Sequence, residues 1–223
     1  SYTNMSERYY KTSEVVKDYR GAGILEQTKN FSYDSGYSGR TFPLTITTTD
    51  SKGNELKTNT YYPDDVTSTT SLPGGAISSA AYNAVSVFKK NGTAPRIGVP
   101  IQTETIKNGD TLITRTNYKN WGTGLYLPES FQSKKEGGPI EEKYVISGYD
   151  SYGNITEMSK KDGASISYIW GYDQNYPVAE VKNATRSQIE ALGGFGPGFH
   201  AGSAGLTTSQ ENTCLVYKSG AAT

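Results

Sequence analysis

The sequence predicts a mainly β protein: an antiparallel meander of hairpins, or a spiral β-sheet built from them, with two short helices. Composition is the first reason. Only 34% of the 223 residues are hydrophobic, and 18 residues are tyrosine. Tyrosine and threonine favour pleated, half-buried surfaces over helices. The second reason is a repeated alternation of apolar or β-branched residues with polar ones, interrupted by short turn-forming segments, which is typical of strands with one buried face.

Charge and cysteine content exclude several classes of function. The 22 Lys and Arg residues equal the 22 Asp and Glu residues, so the chain lacks the basic excess of a nucleic-acid-binding protein. No stretch approaches the roughly 20 apolar residues of a membrane span. Residues 1–20 are polar throughout and do not resemble a signal peptide, so we expect a processed chain or a fragment. The single Cys214 excludes an internal disulfide.

The alternation comes in paired blocks between residues 41 and 182, after a strand-rich lead-in at 1–40. The first pair is 44–49 and 55–62. Between them stands Asp50-Ser51-Lys52-Gly53-Asn54, a run of residues that favour turns. Two alternating runs joined by such a turn predict a β-hairpin.

Three further pairs predict three further hairpins. They are 101–107 with 110–118 around Asn108-Gly109, 125–134 with 140–149 around 135–138, and 155–160 with 165–172 around Asp162-Gly163. Asn-Gly and Asp-Gly tolerate positive φ, which tight hairpin turns require. The second hairpin also repeats the first in step, since Leu56, Thr58, Thr60 and Tyr62 align with Leu112, Thr114, Thr116 and Tyr118.

Two segments have helical spacing instead. Apolar residues near 76–90 fall on one helical face and predict a helical insertion. A short helix is predicted within 183–193, where Thr185 and Gln188 form a capping box. Residues 194–223 are rich in Gly, Ala and Ser, so we expect an irregular tail that the fold does not need.

The turns resemble the Rhs/YD repeat, in which Tyr-Asp is followed by two residues, a Gly, and Arg or Asn. Tyr149-Asp150-Ser151-Tyr152-Gly153-Asn154 matches the whole motif. The segment 50–54 matches all but the Tyr, and Tyr172-Asp173 begins a further copy. A wider stretch, over about residues 40–192, resembles the pre-core region of large Bacteroidetes Rhs proteins. The most specific part of this resemblance is Tyr168-Ile169-Trp170-Gly171-Tyr172 followed by Tyr176-Pro177-Val178-Ala179.

This resemblance implies a β-sheet that spirals into a hollow shell, on a secreted or surface-exposed bacterial protein. Relatives use such shells to enclose toxin segments or to display adhesive surfaces. In the repeat turns, Asp accepts backbone N–H groups, Gly supplies positive φ, and Tyr packs across to the next strand. The residues predicted to have these turn roles are Asp50, Gly53, Asn54, Asn108, Gly109, Tyr149, Asp150, Gly153, Asn154, Asp162, Gly163, Tyr172 and Asp173.

No pattern in the sequence predicts catalysis, a metal site or a cofactor. His200 is the only histidine and lies in the Gly-rich tail. Cys214 has no second base to activate it. The carboxylates of Asp50, Asp150 and Asp162 stand beside turn glycines, which favours turn capping over acid–base pairing or Ca²⁺ binding.

Four aromatic residues are candidates for stacking on a ligand: Trp121, Tyr126, Trp170 and Tyr176. Flat rings on a polar sheet stack on pyranose faces, although the same rings also pack between strands. Trp121 and Tyr176 lie nearer turns and are the better candidates.

Two functions therefore stay open. The first is a structural or interaction segment of an exported Rhs-type protein, which builds a β-shell or docks to one and whose partner is another protein chain or the rest of a larger protein. A sheet this short leaves edges open for such pairing. The second is a stand-alone module that binds cell-surface glycans.

Overall fold

The computed structural model describes residues 9–21, 23–34, 40–192, 194–203 and 205–211. Within these ranges the chain forms eleven strands, two α-helices and a further helical turn at residues 208–211. The strands are β1 Ser13–Arg20, β2 Gly23–Ser32, β3 Thr45–Thr49, β4 Glu55–Tyr61, β5 Gln102–Lys107, β6 Asp110–Asn120, β7 Tyr126–Lys135, β8 Glu141–Tyr149, β9 Ile155–Lys160, β10 Ser165–Gly171 and β11 Tyr176–Lys182. The helices are α1 Ser79–Phe88 and α2 Arg186–Glu190, and a short 3-10 turn spans Pro63–Asp65.

The strands follow one another in chain order, from β1 to β11, in one open sheet. Their pairing is antiparallel, which confirms the mainly β fold class. The four predicted hairpins correspond to β3–β4, β5–β6, β7–β8 and β9–β10, and every strand end lies within two residues of its predicted position. No helix in the described part of the chain is long and apolar enough to cross a membrane.

The chain forms two compact units. The first consists of residues 1–116 and 133–140, and the second of residues 117–132 and 141–223. The first unit contains β1 to β5 and α1, and the second contains β8 to β11 and α2. Residues of β6 and β7 contribute to both units.

The buried side chains of the first unit come mainly from the segment between β4 and β5. These residues are Tyr62, Val66, Leu72, Ile77, Ala81, Ala84, Val85, Phe88 and Ile101. The helix α1 begins after Ser78, whose hydroxyl accepts the N–H of Ala81 at 3.1 Å. This inserted segment thus supplies apolar groups that the strands around it lack.

A buried guanidinium attaches the inserted segment to the sheet. Arg115 in β6 donates through Nε to the side-chain oxygen of Gln102 in β5 at 2.6 Å. Its Nη2 donates to the carbonyl oxygens of Pro73 at 3.0 Å and Gly75 at 2.8 Å. Burial lowers the pKa of Arg115. A buried cation is destabilising unless its N–H groups donate hydrogen bonds, and here the backbone carbonyls accept them.

The second unit has a separate apolar cluster, where α2 covers β10 and β11. Its buried members are Ile169, Val181, Ala184, Ile189 and Phe195, with Val178, Ala179, Leu192, Phe199 and Leu206 packed against them. The predicted capping box begins α2: the Thr185 hydroxyl accepts the N–H of Gln188 at 3.2 Å, and the Gln188 side chain accepts the N–H of Thr185 at 2.8 Å.

Residues 194–203, after α2, have an irregular backbone, but Phe195 and Phe199 among them belong to this cluster. Phe195 and Ala201 are buried. The N–H of Ala201 donates to the carbonyl of Trp170 at 2.7 Å, and Gly202 accepts the N–H of Tyr172 at 2.8 Å. For residues 195–203 and Leu206, these contacts argue against the expectation that the fold does not need the tail. Residues 212–223 lie outside the described part of the chain.

We predict that Phe195→Ala destabilises the protein by about 3–5 kcal/mol, because it removes a buried ring and leaves a cavity. Phe131→Ala in β7 is the matched control and should cost roughly 1 kcal/mol, since Phe131 is 37% exposed and Phe195 is 6% exposed. Urea denaturation followed by circular dichroism measures both. Equal losses for the two variants would show that the segment after α2 does not contribute to the core.

Candidate functional site

The turn between β3 and β4 is held by a single carboxylate. Oδ1 of Asp50 accepts the backbone N–H groups of Lys52 and Asn54, each at 2.9 Å. Oδ2 accepts the side-chain amide of Asn54 at 2.8 Å. These hydrogen bonds from Asn54 hold the pKa of Asp50 below its usual value. Gly53 has a φ of +81°, a conformation that only glycine adopts without strain.

The turn between β8 and β9 has the same hydrogen bonds in the same order. Oδ1 of Asp150 accepts the N–H groups of Tyr152 and Asn154 at 2.9 Å, and Oδ2 accepts the Asn154 amide at 3.0 Å. Gly153 has a φ of +88°. The Asn154 amide also donates to the carbonyl of Gln174 at 2.9 Å, which joins this turn to the one between β10 and β11. The two segments that share the repeat motif therefore fold alike.

The remaining predicted turns use positive φ without a carboxylate clamp. Asn108 and Gly109 have φ values of +53° and +92° and join β5 to β6 as a two-residue turn. Asp162 has a φ of +56°, and the N–H of Gly163 donates to the carbonyl of Lys160 at 3.0 Å.

The motif tyrosine, Tyr149, packs across the sheet. Its hydroxyl donates to the carbonyl of Pro128 at 3.0 Å. Its ring meets the ring of Trp121 edge-on at 5.0 Å between centroids. Burial raises the pKa of Tyr149 to about 12. Tyr149 thus connects the turn to β7 through a hydrogen bond and to the residues just after β6 through a ring contact.

The turn between β10 and β11 differs from the other turns. Tyr172, Asp173 and Gln174 all have positive φ, at +51°, +55° and +65°. Non-glycine residues are strained in this region, and strained segments persist only where their surroundings hold them. Here the Asn175 amide donates to the carbonyls of Tyr172 and Asp173, at 3.0 and 3.3 Å.

The four stacking candidates do not form one surface. Trp170 lines a pocket in the second unit together with Tyr149 and Tyr152. Trp121 packs against Tyr149 and donates to the carbonyl of Leu127 at 3.3 Å. Tyr176 is exposed and packs edge-on against Tyr172. Tyr126 is half-buried in β7. Trp121, Tyr126 and Tyr176 do not line the pocket.

Among the strands of the described residues, β1 lies at one end of the sheet and pairs only with β2, so its other edge has no described partner, a feature that the predicted hairpins did not include. The carbonyl of Thr12 accepts the N–H of Phe31 at 2.9 Å, and the register continues from Ser13 opposite Asn30. Bonded and non-bonded pairs alternate in an antiparallel ladder, so even-numbered residues of β1 bond to β2. The N–H and C=O groups of Ser13, Val15, Lys17 and Tyr19 point to the opposite side.

Groups that could support catalysis or bind a metal are dispersed. His200 is exposed and lines the same pocket as Trp170. Cys214 lies outside the described residues. Within the described ranges, no group of three or more His, Cys, Asp or Glu side chains is placed to hold a metal ion.

Comparison with known proteins identifies no relative. No family model matches the chain, and no curated protein or solved structure matches it. The function of this chain therefore has to follow from its own sequence and geometry.

We predict that Gly53→Val and Gly153→Val each destabilise the protein by roughly 1–3 kcal/mol, because a β-branched residue is strained at positive φ. Gly138→Val is the matched control: Gly138 lies in another hairpin turn without positive φ, and an added Cβ would meet only the Lys135 carbonyl at 3.5 Å. Thermal melting compares the three variants. Near-neutral shifts at positions 53 and 153 would refute the assigned role of these glycines.

Proposed function

We propose that this chain is a non-enzymatic structural and interaction segment of an exported Rhs/YD-repeat protein, and that it joins another protein chain by strand pairing along β1. The observation that carries the proposal is the outer edge of β1, which pairs with no other strand in the part of the chain that the structure describes. Such an edge presents a row of N–H and C=O groups to any extended segment of matching length. The partner is another chain, or the remainder of a larger shell protein.

The side chains around this edge favour protein contact. Tyr19 is 71% exposed and Val15 is 50% exposed. Val16, Ile24 and Leu25 are also exposed. Residues that face each other across a ladder lie on the same face of the sheet. Tyr19 faces Ile24, whereas Leu25 faces Asp18, so both faces of the β1–β2 hairpin present apolar groups to a partner.

The charged groups of the hairpin do not oppose pairing. Lys17 forms an ion pair with Glu26 at 3.1 Å on the neighbouring strand. Glu14 forms another with Lys11 at 3.0 Å. The chain as a whole has no net charge, so like copies or a weakly charged partner meet little electrostatic repulsion.

The last strand, β11, is a poorer partner than β1. Pro177 has no N–H to donate to an added strand, and proline is a common device for blunting sheet edges. Val181 is buried in the cluster with α2. This difference between the two terminal strands supports β1 as the docking edge.

The turn geometry supports assignment to the Rhs/YD-repeat family. Asp50 and Asp150 make the same three hydrogen bonds, in segments that share the motif Asp-x-x-Gly-Asn. Turns of this kind join strands in series without a large core, as a β-shell of many repeats requires. A secreted or bacterial surface location belongs to the same proposal.

We predict that the isolated chain self-associates at micromolar concentration, since a second copy takes the place of the absent partner at β1. Replacing two exposed apolar residues, Val15→Lys with Tyr19→Lys, should make it monomeric, because charged residues on an edge oppose pairing. Sedimentation velocity measures both species.

The control for this experiment is Leu56→Lys with Leu112→Lys, which alters two exposed leucines on the inner strands β4 and β6. That variant should associate as the unaltered chain does. A strictly monomeric unaltered chain would contradict the docking proposal, and so would equal loss of association in both double variants.

A further inference from the structure

The second unit contains a pocket of about 500 Å³ that the turn and docking roles do not use. Its walls come from the Asp150 turn, from Trp170 in β10, from Gln174, from α2 and from residues 198–200. Small-molecule sites typically enclose roughly 300–1,000 Å³. The pocket is therefore large enough for a ligand of the size of a single sugar ring.

Two aromatic rings of the wall are held in fixed positions. The indole N–H of Trp170 donates to the carbonyl of Ile155 at 2.8 Å. Tyr149 is fixed by its hydrogen bond to Pro128 and by its contact with Trp121. An aromatic face carries partial negative charge, and it attracts the C–H groups on one face of a pyranose ring, which carry partial positive charge.

The guanidinium and the two carboxylates of the wall are already hydrogen-bonded within the protein, Asp150 through its turn and Arg186 and Glu190 with each other. Arg186 donates through Nε to Oε1 of Glu190 at 2.7 Å, and through its two Nη atoms to the carbonyls of Tyr168 and Phe199. Oε1 of Glu190 also accepts the N–H of Gly198 at 2.8 Å. The pairing of Arg186 leaves little cationic capacity for a phosphate or a carboxylate ligand.

Three other polar side chains of the pocket wall are available to a ligand. Among the described residues, the Gln174 amide, the Tyr152 hydroxyl and the His200 imidazole have no side-chain hydrogen-bond partner. An amide and a phenol are neutral groups that donate and accept hydrogen bonds. They match a ligand that offers several hydroxyl groups and no net charge.

We propose that this pocket binds one pyranose residue of a neutral sugar, with Trp170 and Tyr149 against the ring face and Gln174 and Tyr152 on the hydroxyl groups. This site does not depend on strand pairing at β1. It also differs from the surface expected around Trp121 and Tyr176, because neither residue lines the pocket.

Tryptophan fluorescence tests the proposal directly. The chain has two tryptophans, so Trp121→Phe leaves Trp170 as the sole indole and a reporter of the pocket. We would titrate this variant with glucose, galactose, mannose and N-acetylglucosamine. At least one sugar should change the emission saturably at millimolar concentration, and Gln174→Ala should weaken that binding about tenfold through the lost hydrogen bond.

Two exposed tyrosines provide a test variant and its matched control. Tyr152 is 70% exposed and lines the pocket, whereas Tyr176 is 65% exposed and does not. Tyr152→Ala should weaken sugar binding, and Tyr176→Ala should not. Saturation transfer from the unaltered protein to sugar protons repeats the measurement without the Trp121 substitution.

Three outcomes would overturn the proposal. The first is the absence of a saturable response, in both measurements, to all four sugars. The second is a response to inorganic phosphate or tetramethylammonium but to no sugar, which would assign the pocket to a charged ligand. The third is equal weakening by Tyr152→Ala and Tyr176→Ala, which would place the binding outside the pocket.

Discussion

An antiparallel sheet that buries few aliphatic side chains along its strands has to fix its register at its turns. Where one face of a strand is packed in a core, a slip of one residue exposes the whole apolar set, and packing alone sets the register. The strands β1 to β3 contain no buried hydrophobic residue. Next to them, Asp50 closes the β3–β4 turn with three hydrogen bonds, and Asp150 repeats the arrangement at β8–β9. Next to β1–β3, the geometry of the turn therefore takes the place of packing along the strands.

Apolar burial is concentrated where segments other than strands cover the sheet. In the first unit, the segment between β4 and β5 provides the buried groups, and Arg115 binds it through backbone carbonyls. In the second unit, α2 and the chain after it cover β10 and β11. No segment within the described ranges covers the β1–β2 hairpin in this way, and Tyr19 and Ile24 are exposed. The β1–β2 hairpin therefore has the least support from a core and also contains the outer edge of β1. Both features agree with the proposal that a partner chain pairs with β1.

The sequence predicted features that depend on local chemistry and missed those that depend on distant contacts. Four hairpins follow from alternation and from turn residues such as Asn108-Gly109, because a hairpin is decided within about 20 residues. The strand β11 was missed, since Pro177 weakens its pattern. The positive φ of Tyr172 could not be predicted from the sequence, because tyrosine disfavours this backbone conformation. The pocket was missed as well, because it joins Trp170 to residues far along the chain, including Arg186 and residues 198–200.

The central claim is that the carboxylate turns fix the register, and amide hydrogen exchange resolved by residue tests it most directly. Asn54 is exposed and Asn154 half-buried, yet the N–H of each donates to an aspartate carboxylate at 2.9 Å. If turn and hairpin open as one cooperative unit, these two amides should exchange nearly as slowly as those of the adjoining strands. Exchange at the rate of an unstructured peptide, with β3–β4 and β8–β9 still protected, would contradict the account and make the turns passive connections.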